Sequence, residues 1–366
     1  MRIVHLVENL NLGGAERVVV DLVSEQVGRG DHCLVICLFE PGALATELAE
    51  IGVTVIALHK PSGPSLKTAR QLRKILRDDR AEILHSHNAM AHYYGVFASV
   101  GLKLRRVNTR HGMGTLLGNR RQQWLYRLAM ILTDRACFVC DAARLRFISD
   151  GLVSAGKALT VYNGIATSRY RNGGQPGALR GLLAVDGSAR LLVTVGRLNP
   201  AKNHPLLLAA FVRLANSYPD LHLVIIGDGA GMQALQSLRS SSGVSERIHL
   251  PGARADVPTL LADAALFVLS SQTEGFSLSL LEAGAAGIPV VATNVGGNGE
   301  IIADGVRGRL VPSDDIDALA AAISDMLDSP AHSRQYVDAL AAWVDQHCTL
   351  AAMAQAYHQV YLGRAE

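Results

Sequence analysis

Residues 265–297 read "ALFVLSSQTEGFSLSLLEAGAAGIPVVATNVGG", and this stretch predicts a strand, a helix and a second strand in succession. An apolar run leads into a polar loop, the helical pattern "SLSLLEAGAAG" ends near Gly287, and another apolar run follows. Glu274 and Glu282 are the charged residues of the stretch. Because burying an unpaired carboxylate is costly, both are candidates for a role facing a ligand.

The rest of the chain repeats this alternation. Seven short apolar runs in the first half and six in the second are separated by helical patterns, which predicts parallel sheets with helices on both faces. The length of 366 residues favours about two domains, and the polar, Gly- and Pro-rich segment 170–181 is interpreted as a linker. We therefore predict an α/β fold of two Rossmann-like, doubly wound domains facing a cleft, with ligands bound where strands end and helices begin.

The composition is typical of a soluble globular protein, with 49% hydrophobic and 18% charged residues. No stretch has the pattern of a transmembrane helix, and Glu8 and Glu16 interrupt the N-terminal apolar run, which argues against a signal peptide. Five scattered cysteines fit a reduced cytosol. These features predict a cytoplasmic protein.

Positive charge is concentrated in residues 60–121, which hold thirteen Lys and Arg against three Asp and Glu. Such a bias indicates an anionic partner, which could be phosphate groups, nucleic acid or an acidic membrane surface. A solvated basic face on two helices would produce the same pattern. The sequence leaves both interpretations open.

Several predicted strands are followed by residues suited to anion binding. Gly13 and Gly14 precede a helix, where backbone amides favour an anion and glycines allow close approach. Arg197 and Lys202 flank a turn that starts another helix, and a guanidinium with an ammonium suits the clamping of a diphosphate. Two exposed cations beside a loop are the ordinary alternative.

Histidines end two strands of the first half: His85, His87 and His111. A histidine at a strand end can bond sugar hydroxyls or shuttle protons. His85 and His87 share a strand face, but no third ligand stands at a useful spacing, and the acidic run 314–317 fits the first turn of a helix. The sequence therefore predicts no metal site.

The two glutamates of the opening stretch flank a predicted helix start. Glu274 falls in the loop before the helix and Glu282 in its second turn. Free amides at that start would bond a diphosphate, with a carboxylate on either side for the uncharged ends of the ligand. A loop glutamate plus a surface glutamate on an amphipathic helix is the alternative.

Together these motifs resemble the retaining glycosyltransferases of family 4, which have the GT-B fold. The resemblance spans nearly the whole chain in the family's order: "GGAER", "VYNGI", "VGRLNPAKN", "IIGDG", "LPG", "SSQTEGFSLSLLEAGAAGIPVVATNVGG" and "NGEII". Its most specific element is "EGFSLSLLE", which matches the E-x7-E signature. It implies an acceptor-binding domain of residues 1–170 plus a C-terminal helix at about 349–366 that crosses back to it, and a donor-binding domain of residues 171–348.

The resemblance also implies roles for single residues. Arg197 and Lys202 would neutralise a donor diphosphate, and Glu274 would bond hydroxyls of the donor sugar. Glu282 would accept bonds from both ribose hydroxyls, and His111 would bond the sugar near the reacting centre. The other donor-binding residues would act through their backbone or border the base: Gly13, Gly14, Gly275, Phe276, Ser277, Leu278, Pro251 and Gly252.

The implied reaction moves a sugar from a nucleotide diphosphate sugar, by family frequency a UDP-sugar, to a hydroxyl of a glycan or lipid-linked acceptor. The anomeric configuration would be retained, and the product would serve cell-surface polysaccharide or glycolipid synthesis. Arg197, Lys202 and the helix amides would stabilise the leaving diphosphate, so we expect no cofactor and no metal. We expect no nucleic-acid partner, and residues 60–121 could dock a peripheral protein on the inner face of the membrane.

Two other functions are compatible with parts of the sequence. The two glutamates could be the acid and nucleophile of a GT-B type glycosidase, although a spacing of roughly 10 Å, from the helical rise, exceeds that of a retaining pair. A hydrolase would also have no use for Arg197 and Lys202. A non-catalytic protein that binds a nucleotide sugar or an anionic surface would explain the basic region but not the complete set of donor residues.

Overall fold

The computed structural model describes residues 1–113 and 120–364, without the side chains of 120–122 and 332. The chain forms two compact units. Unit 1 is Met1–Gly164 with Leu350–Glu366, and unit 2 is Ile165–Thr349. The boundaries expected from the sequence are 170/171 and 348/349.

Unit 1 is built on a seven-stranded parallel sheet in the order β3-β2-β1-β4-β5-β6-β7. Its strands are β1 (Arg2–Val7), β2 (His32–Cys37), β3 (Thr54–Ala57), β4 (Ile83–His87), β5 (Arg105–Arg110), β6 (Arg135–Phe138) and β7 (Ala158–Thr160). Its helices are α1 (Gly14–Gly28), α2 (Ala45–Glu50), α3 (Leu66–Asp78), α4 (Asn88–Ser99), α5 (Arg120–Ile131), α6 (Asp141–Ser149) and the last helix of the chain, α16 (Leu350–Leu362).

Unit 2 carries a six-stranded parallel sheet in the order β10-β9-β8-β11-β12-β13. Its strands are β8 (Arg190–Val195), β9 (Leu221–Ile226), β10 (Ile248–Gly252), β11 (Ala264–Leu269), β12 (Val290–Thr293) and β13 (Arg309–Val311). Its helices are α7 (Thr167–Asn172), α8 (Ala178–Leu183), α9 (His204–Leu214), α10 (Met232–Ser241), α11 (Val257–Leu260), α12 (Leu278–Ala285), α13 (Asn298–Ile302), α14 (Ile316–Asp328) and α15 (Pro330–His347).

The prediction of two doubly wound α/β domains is confirmed. Most strands of the two sheets are apolar along most of their length, as is typical of parallel sheets that are covered on both faces, whereas β4 and β5 carry buried polar residues. Thus all residues of β9 but one are buried, and β2 is buried apart from its first residue. The first run of the sequence quoted above forms β11, its helix forms α12, and its second run forms β12.

Segment 170–181, expected to be a linker, instead ends α7 and begins α8. The cause is the fully buried carboxylate of Asp263. It accepts the backbone N–H groups of Gly177, Leu179 and Arg180 and forms an ion pair with the Arg180 guanidinium. A buried carboxylate with these donors fixes the start of α8, which the Gly- and Pro-rich composition does not reveal.

Within the described residues, no helix combines the length and the apolarity needed to cross a bilayer. The five cysteines are buried and none forms a disulfide.

Candidate functional site

The first candidate site lies at the switch point of the unit 2 sheet. β8 and β11 are neighbours, and the chain leaves them toward opposite sides of the sheet order. In open parallel sheets the crevice beyond the carboxyl ends of two such strands is where ligands bind. The loop after β8 carries Arg197 and Lys202, and the loop after β11 carries Glu274.

The loop after β8 is compact and closely packed. Asn199 caps the 3₁₀ turn Pro200–Lys202 by accepting the backbone N–H of Lys202 at 3.3 Å. The loop after β9 lies directly on it, since a Cβ at Gly227 would stand 1.9 Å from the carbonyl oxygen of Gly196. The glycines of "IIGDGAG" therefore serve a tight turn that packs on the loop after β8.

Lys202 and Glu274 are brought into direct contact. Glu274 Oε1 accepts hydrogen bonds from Lys202 Nζ and from Ser271 Oγ, each at 2.6 Å. Both charged side chains are largely shielded from solvent, whereas Arg197 is exposed and its guanidinium has no hydrogen bond or ion pair to another described residue. Ser271 is a site residue that the sequence analysis missed.

The N-terminus of α12 is the second part of this site. Ser277 is its N-cap residue, no side chain caps the helix, and its first turn holds no acidic residue. The amides of the first turn, from Leu278 on, have no acceptor within the helix. Phe276 is buried with its ring 6.5 Å from that of Trp343, so only the backbone of this residue can serve a ligand.

The loop after β12 contacts the backbone of the loop that carries Glu274 and supports it. The N–H of Gly297 donates to the carbonyl of Gly275 at 2.9 Å. Gly296 has a φ of 55°, and a Cβ there would stand 1.8 Å from the carbonyl oxygen of Glu274. Gly296 therefore sets the position of Glu274, a role that the sequence analysis did not assign.

Glu282 lies one turn farther along α12. Its Oε1 accepts a hydrogen bond from the Tyr170 hydroxyl of α7 at 2.7 Å. Tyr170 thereby orients the second glutamate of the signature. No sequence signal pairs two residues 112 positions apart.

Pro251 and Gly252 end β10, two strands away from β8. Gly252 has a φ of 79°, and its carbonyl accepts the N–H of Gly227 at 2.9 Å. These residues thus border the turn that packs on the Arg197 loop, on the side of the sheet away from Glu274.

The second candidate site lies at the switch point of unit 1, between β1 and β4. α1 begins at Gly14, with Gly13 as an extended N-cap residue. A Cβ at Gly13 would stand 2.2 Å from Glu16 Oε2. A carboxylate of the protein therefore already faces the helix start at which the sequence suggested an anion, and Glu16 is a further residue that was missed.

His111 follows β5 and belongs to a buried cluster. Its Nε2 lies 2.9 Å from His87 Nδ1, and His87 Nε2 lies 3.1 Å from His5 Nδ1. Burial lowers the pKa of His5 and of His111 to about 4, and the pKa of His87 is lowered well below its ordinary value by the same cause. All three rings are therefore neutral at physiological pH.

The expectation that no third ligand approaches His85 and His87 was wrong, because His5 on the neighbouring strand does so. However, each ring nitrogen of these three histidines already has a hydrogen-bond partner. No lone pair is left for a cation unless these bonds break. The prediction that the protein needs no metal remains a prediction.

The basic region 60–121 spans α3, β4, α4, β5 and the first residues of α5, and its Lys and Arg lie on α3, β5, the start of α5 and the connecting loops. Residues 114–119 lie outside the described residues. α3 packs on α4, and α4 packs on α5. Exposed basic residues of α3 are Lys67, Arg70, Arg73, Lys74 and Arg77. Exposed apolar residues of the three helices are Leu66, Phe97, Trp124, Leu128 and Ile131.

Two family models match this sequence. The model described as "Glycosyltransferase Family 4" matches residues 12–169, and the model described as "Glycosyl transferases group 1" matches residues 180–342. The two matches cover most of both units. The first includes Gly13, Gly14 and His111, and the second includes Arg197, Lys202, Glu274 and Glu282, whereas His5 and Tyr170 lie outside them.

Among curated relatives, the chain is 27% identical to the Escherichia coli UDP-Gal:alpha-D-GlcNAc-diphosphoundecaprenol alpha-1,3-galactosyltransferase. That alignment covers 72% of this chain and 70% of the relative. This chain is also 35% identical to a GDP-mannose-dependent alpha-(1-6)-phosphatidylinositol monomannoside mannosyltransferase of Mycolicibacterium smegmatis, over 39% of this chain and 40% of the relative. The crystal structure of Anabaena HepE in complex with UDP superposes with a TM-score of 0.87 at 23% identity, over 99% of this chain and 100% of that one. This last likeness establishes the fold.

Proposed function

Because the chain belongs to the family 4 glycosyltransferases and has the GT-B fold, we propose that it transfers a sugar from a nucleotide diphosphate sugar to a hydroxyl acceptor with retention of configuration. The observation that supports this most is the arrangement at the β8/β11 switch point. The loop after β8 carries Arg197 and Lys202, Lys202 is paired with Glu274 of the loop after β11, and that second loop leads into the uncapped start of α12. A diphosphate with a sugar on one side is the ligand that uses all of them.

The diphosphate would lie between the α12 amides and the two cations. The Arg197 side chain is exposed and has no partner among the described residues, so it can move onto a phosphate without breaking an existing bond. Lys202 is held by Glu274 and would be shared between that carboxylate and the second phosphate. Negative charge that grows on the leaving diphosphate would meet donors already in place, which is electrostatic preorganisation.

The two glutamates would bind the two ends of the donor. Glu274 keeps acceptor capacity beyond its bonds to Lys202 and Ser271 and would receive hydroxyls of the donor sugar. Glu282, oriented by Tyr170, would receive the ribose hydroxyls. In unit 1, Gly13, Gly14 and His111 would contribute to binding of the sugar.

We propose a UDP-sugar as donor. The E. coli relative uses UDP-Gal and HepE was solved with UDP, which supports uridine, whereas the Mycolicibacterium relative uses GDP-mannose. Pro251 and Gly252 would border the base. The diphosphate oxygen would take the acceptor proton as the new bond forms, so that no side-chain base and no metal are required.

The acceptor would be a glycan or a lipid-linked sugar at the inner face of the membrane. The E. coli relative acts on a diphosphoundecaprenol-linked sugar. In this chain, α3 carries exposed basic side chains and packs on α4, and α4 packs on α5, which carries the exposed Trp124. Cations for anionic lipid headgroups next to an aromatic anchor are typical of peripheral membrane surfaces.

The test is incubation of the purified protein with a panel of UDP-, GDP- and dTDP-sugars, with release of nucleoside diphosphate as the readout. One donor should release its diphosphate faster when a glycan or lipid-linked acceptor is added. Binding of a donor without release would favour the non-catalytic binding protein. Hydrolysis of simple glycosides without a nucleotide would favour the glycosidase.

A further inference from the structure

A chain of buried side chains runs through the core of unit 1 from His111 to α1. It passes from His111 to His87, from His87 to His5, and from His5 Nε2 to Gln26 Oε1 at 2.8 Å. His5, His87 and Gln26 are each at most 3% exposed. β1, β4 and α1 supply these residues, and the established family signature includes none of the three.

The amide of Gln26 sets the direction of every hydrogen bond in the chain. Its oxygen can only accept, so His5 carries its proton on Nε2 and donates to it. The neutral His5 then has a lone pair on Nδ1, which accepts from His87 Nε2–H. His87 Nδ1 accepts in turn from His111 Nε2–H.

The amide nitrogen of Gln26 extends the hydrogen-bond network to Tyr361 and His85. Its Nε2 donates to the Tyr361 hydroxyl at 3.1 Å, and that hydroxyl donates to His85 Nδ1 at 2.7 Å. His85 Nε2 is then the donor to Thr109 Oγ1, also at 2.7 Å. Because an amide is a very poor proton acceptor, these hydrogen bonds cannot carry a proton away from His111. They can only orient the His111 ring.

One ring nitrogen of His111 takes no part in these hydrogen bonds. His111 Nδ1 is buried and has no hydrogen-bond partner among the described residues. His111 lines a cavity of about 90 Å³ beyond β1 and β4, together with Glu8, Asn9, Glu16 and Asn88. Two carboxylates among these residues disfavour an anion, so the cavity suits a neutral group that carries hydroxyls.

We propose that Gln26, His5 and His87 are positioning residues that lock His111 in the tautomer protonated on Nε2, and that His111 Nδ1 accepts a hydrogen bond from a hydroxyl of the bound sugar. The identity of that ligand rests on the proposed function. The locked tautomer does not, since it follows from hydrogen bonds within unit 1. No proton is transferred in this role.

The tautomer can be measured directly on the full-length protein labelled with ¹⁵N-histidine. Two-bond ¹H–¹⁵N spectra distinguish a protonated from an unprotonated ring nitrogen, and His111→Gln identifies the His111 signals among those of the 13 histidines. We expect a protonated Nε2 and an unprotonated Nδ1. A proton on His111 Nδ1, or a mixture of the two tautomers, would overturn the proposal.

Variants separate orientation from general stability. Gln26→Leu removes the acceptor that sets the direction, and we expect His111 to populate both tautomers. Thr109→Val, in the same buried layer but on the His85 branch, should leave His111 unchanged. If Gln26→Leu does not fold, His87→Phe tests the same step. A His111 tautomer that stays as in the wild type, in whichever of these two variants folds, contradicts the proposal.

Kinetics test the link to the ligand. His87→Phe should lower kcat/KM of the transferase reaction about tenfold, the worth of one oriented hydrogen bond. His87→Gln, whose amide can accept from His111 and donate to His5, should restore most of it, and Thr109→Val should be near wild type. If His87→Phe, His87→Gln and Thr109→Val all lower kcat/KM by the same factor, the positioning role of His87 is contradicted. A locked tautomer in a protein without transferase activity would instead reject the proposed function alone.

Discussion

Arg197 and Lys202 differ in their surroundings, and this difference separates binding from stability. Arg197 is exposed and unpaired among the described residues, whereas Lys202 neutralises a Glu274 carboxylate that is 11% exposed. Removal of Lys202 leaves that carboxylate without its cation, whereas removal of Arg197 disturbs nothing within unit 2.

Arg197→Ala should therefore weaken UDP binding by about 10- to 100-fold, the usual worth of a charge-assisted hydrogen bond, without a change in Tm. Lys202→Ala should weaken binding comparably and also lower Tm. Isothermal titration with UDP and thermal unfolding measure the two effects. UDP affinity that is the same in Arg197→Ala as in the wild type would reject the diphosphate clamp.

Glu282 gives a second test at this scale, because Tyr170 already orients it. If Glu282 binds both ribose hydroxyls, the wild type should prefer UDP to 2′,3′-dideoxy-UDP, and Glu282→Ala should lose that preference. Tyr170→Phe keeps the carboxylate and should keep most of the preference. A preference for UDP that survives in Glu282→Ala would place the ribose elsewhere.

The sequence pointed to the charged candidate residues of this site but not to the residues that hydrogen-bond to them and hold them in place. Arg197, Lys202 and the two glutamates stand in short motifs, so they could be recognised within one loop or helix. Ser271 and Tyr170 carry no comparable signal, because a serine or a tyrosine gains its meaning from the carboxylate that it contacts.

At the scale of elements, α12 and the loop after β12 form one support. Gly296 and Gly297 lie against the backbone of Glu274 and Gly275, which fixes the approach to the helix start. The αL conformation of Gly296 and its contact with a carbonyl oxygen both require glycine. The sequence predicts the strand and the helix but not this contact, which depends on how two loops meet.

Gly296→Ala should lower stability by roughly 2–4 kcal/mol, from left-handed strain plus a steric clash, and should weaken UDP binding by displacing the Glu274 loop. Gly305→Ala is the matched control. Gly305 has a φ of 69°, but no described atom lies within 4 Å of a Cβ there, so only the strain of roughly 1–2 kcal/mol applies. Chemical denaturation and UDP titration measure both.

Equal losses of stability in the two variants would mean that the Gly296 contact relaxes freely. Normal UDP affinity in a folded Gly296→Ala protein would mean that the loop after β12 does not position Glu274.

At the scale of the molecule, the buried histidines of unit 1 predict a pH dependence of stability. Burial lowers the pKa of His5 and His111 to about 4 and that of His92 to about 3, and those of His85 and His87 lie well below the ordinary value. Unfolded histidine titrates near pH 6.5, so between about pH 6.5 and 4 the unfolded chain binds more protons than the folded one.

The stability from these neutral rings is therefore complete above pH 6.5 and is lost as the pH falls toward 4. Each proton that the unfolded chain binds in excess of the folded chain contributes a slope of about 1.4 kcal/mol per pH unit. Urea unfolding at pH 7.5, 6.5 and 5.5 measures the effect, and His92→Asn should reduce the slope. A free energy of unfolding that does not change between pH 6.5 and 5.5 contradicts this expectation.

The overall fold was accessible from the sequence because strand and helix periods are local. The buried chain from His111 to Tyr361 was not, since Gln26 and Tyr361 are 335 residues apart and meet only when α16 packs on α1. His5 was overlooked for a related reason. Within "RIVHLV" it occupies a position that the pattern assigns to the apolar core, and only its neighbours on β4 show it to be polar and paired.

The configuration of the product tests the proposed reaction most directly. The protein would be incubated with the UDP-α-sugar identified in the donor panel and with its glycan or lipid-linked acceptor, and the anomeric linkage of the isolated product would be determined by NMR. We predict an α linkage, formed in the presence of EDTA as readily as without it. A β linkage would contradict retention, and failure of every nucleotide sugar to give a product would contradict the transferase itself.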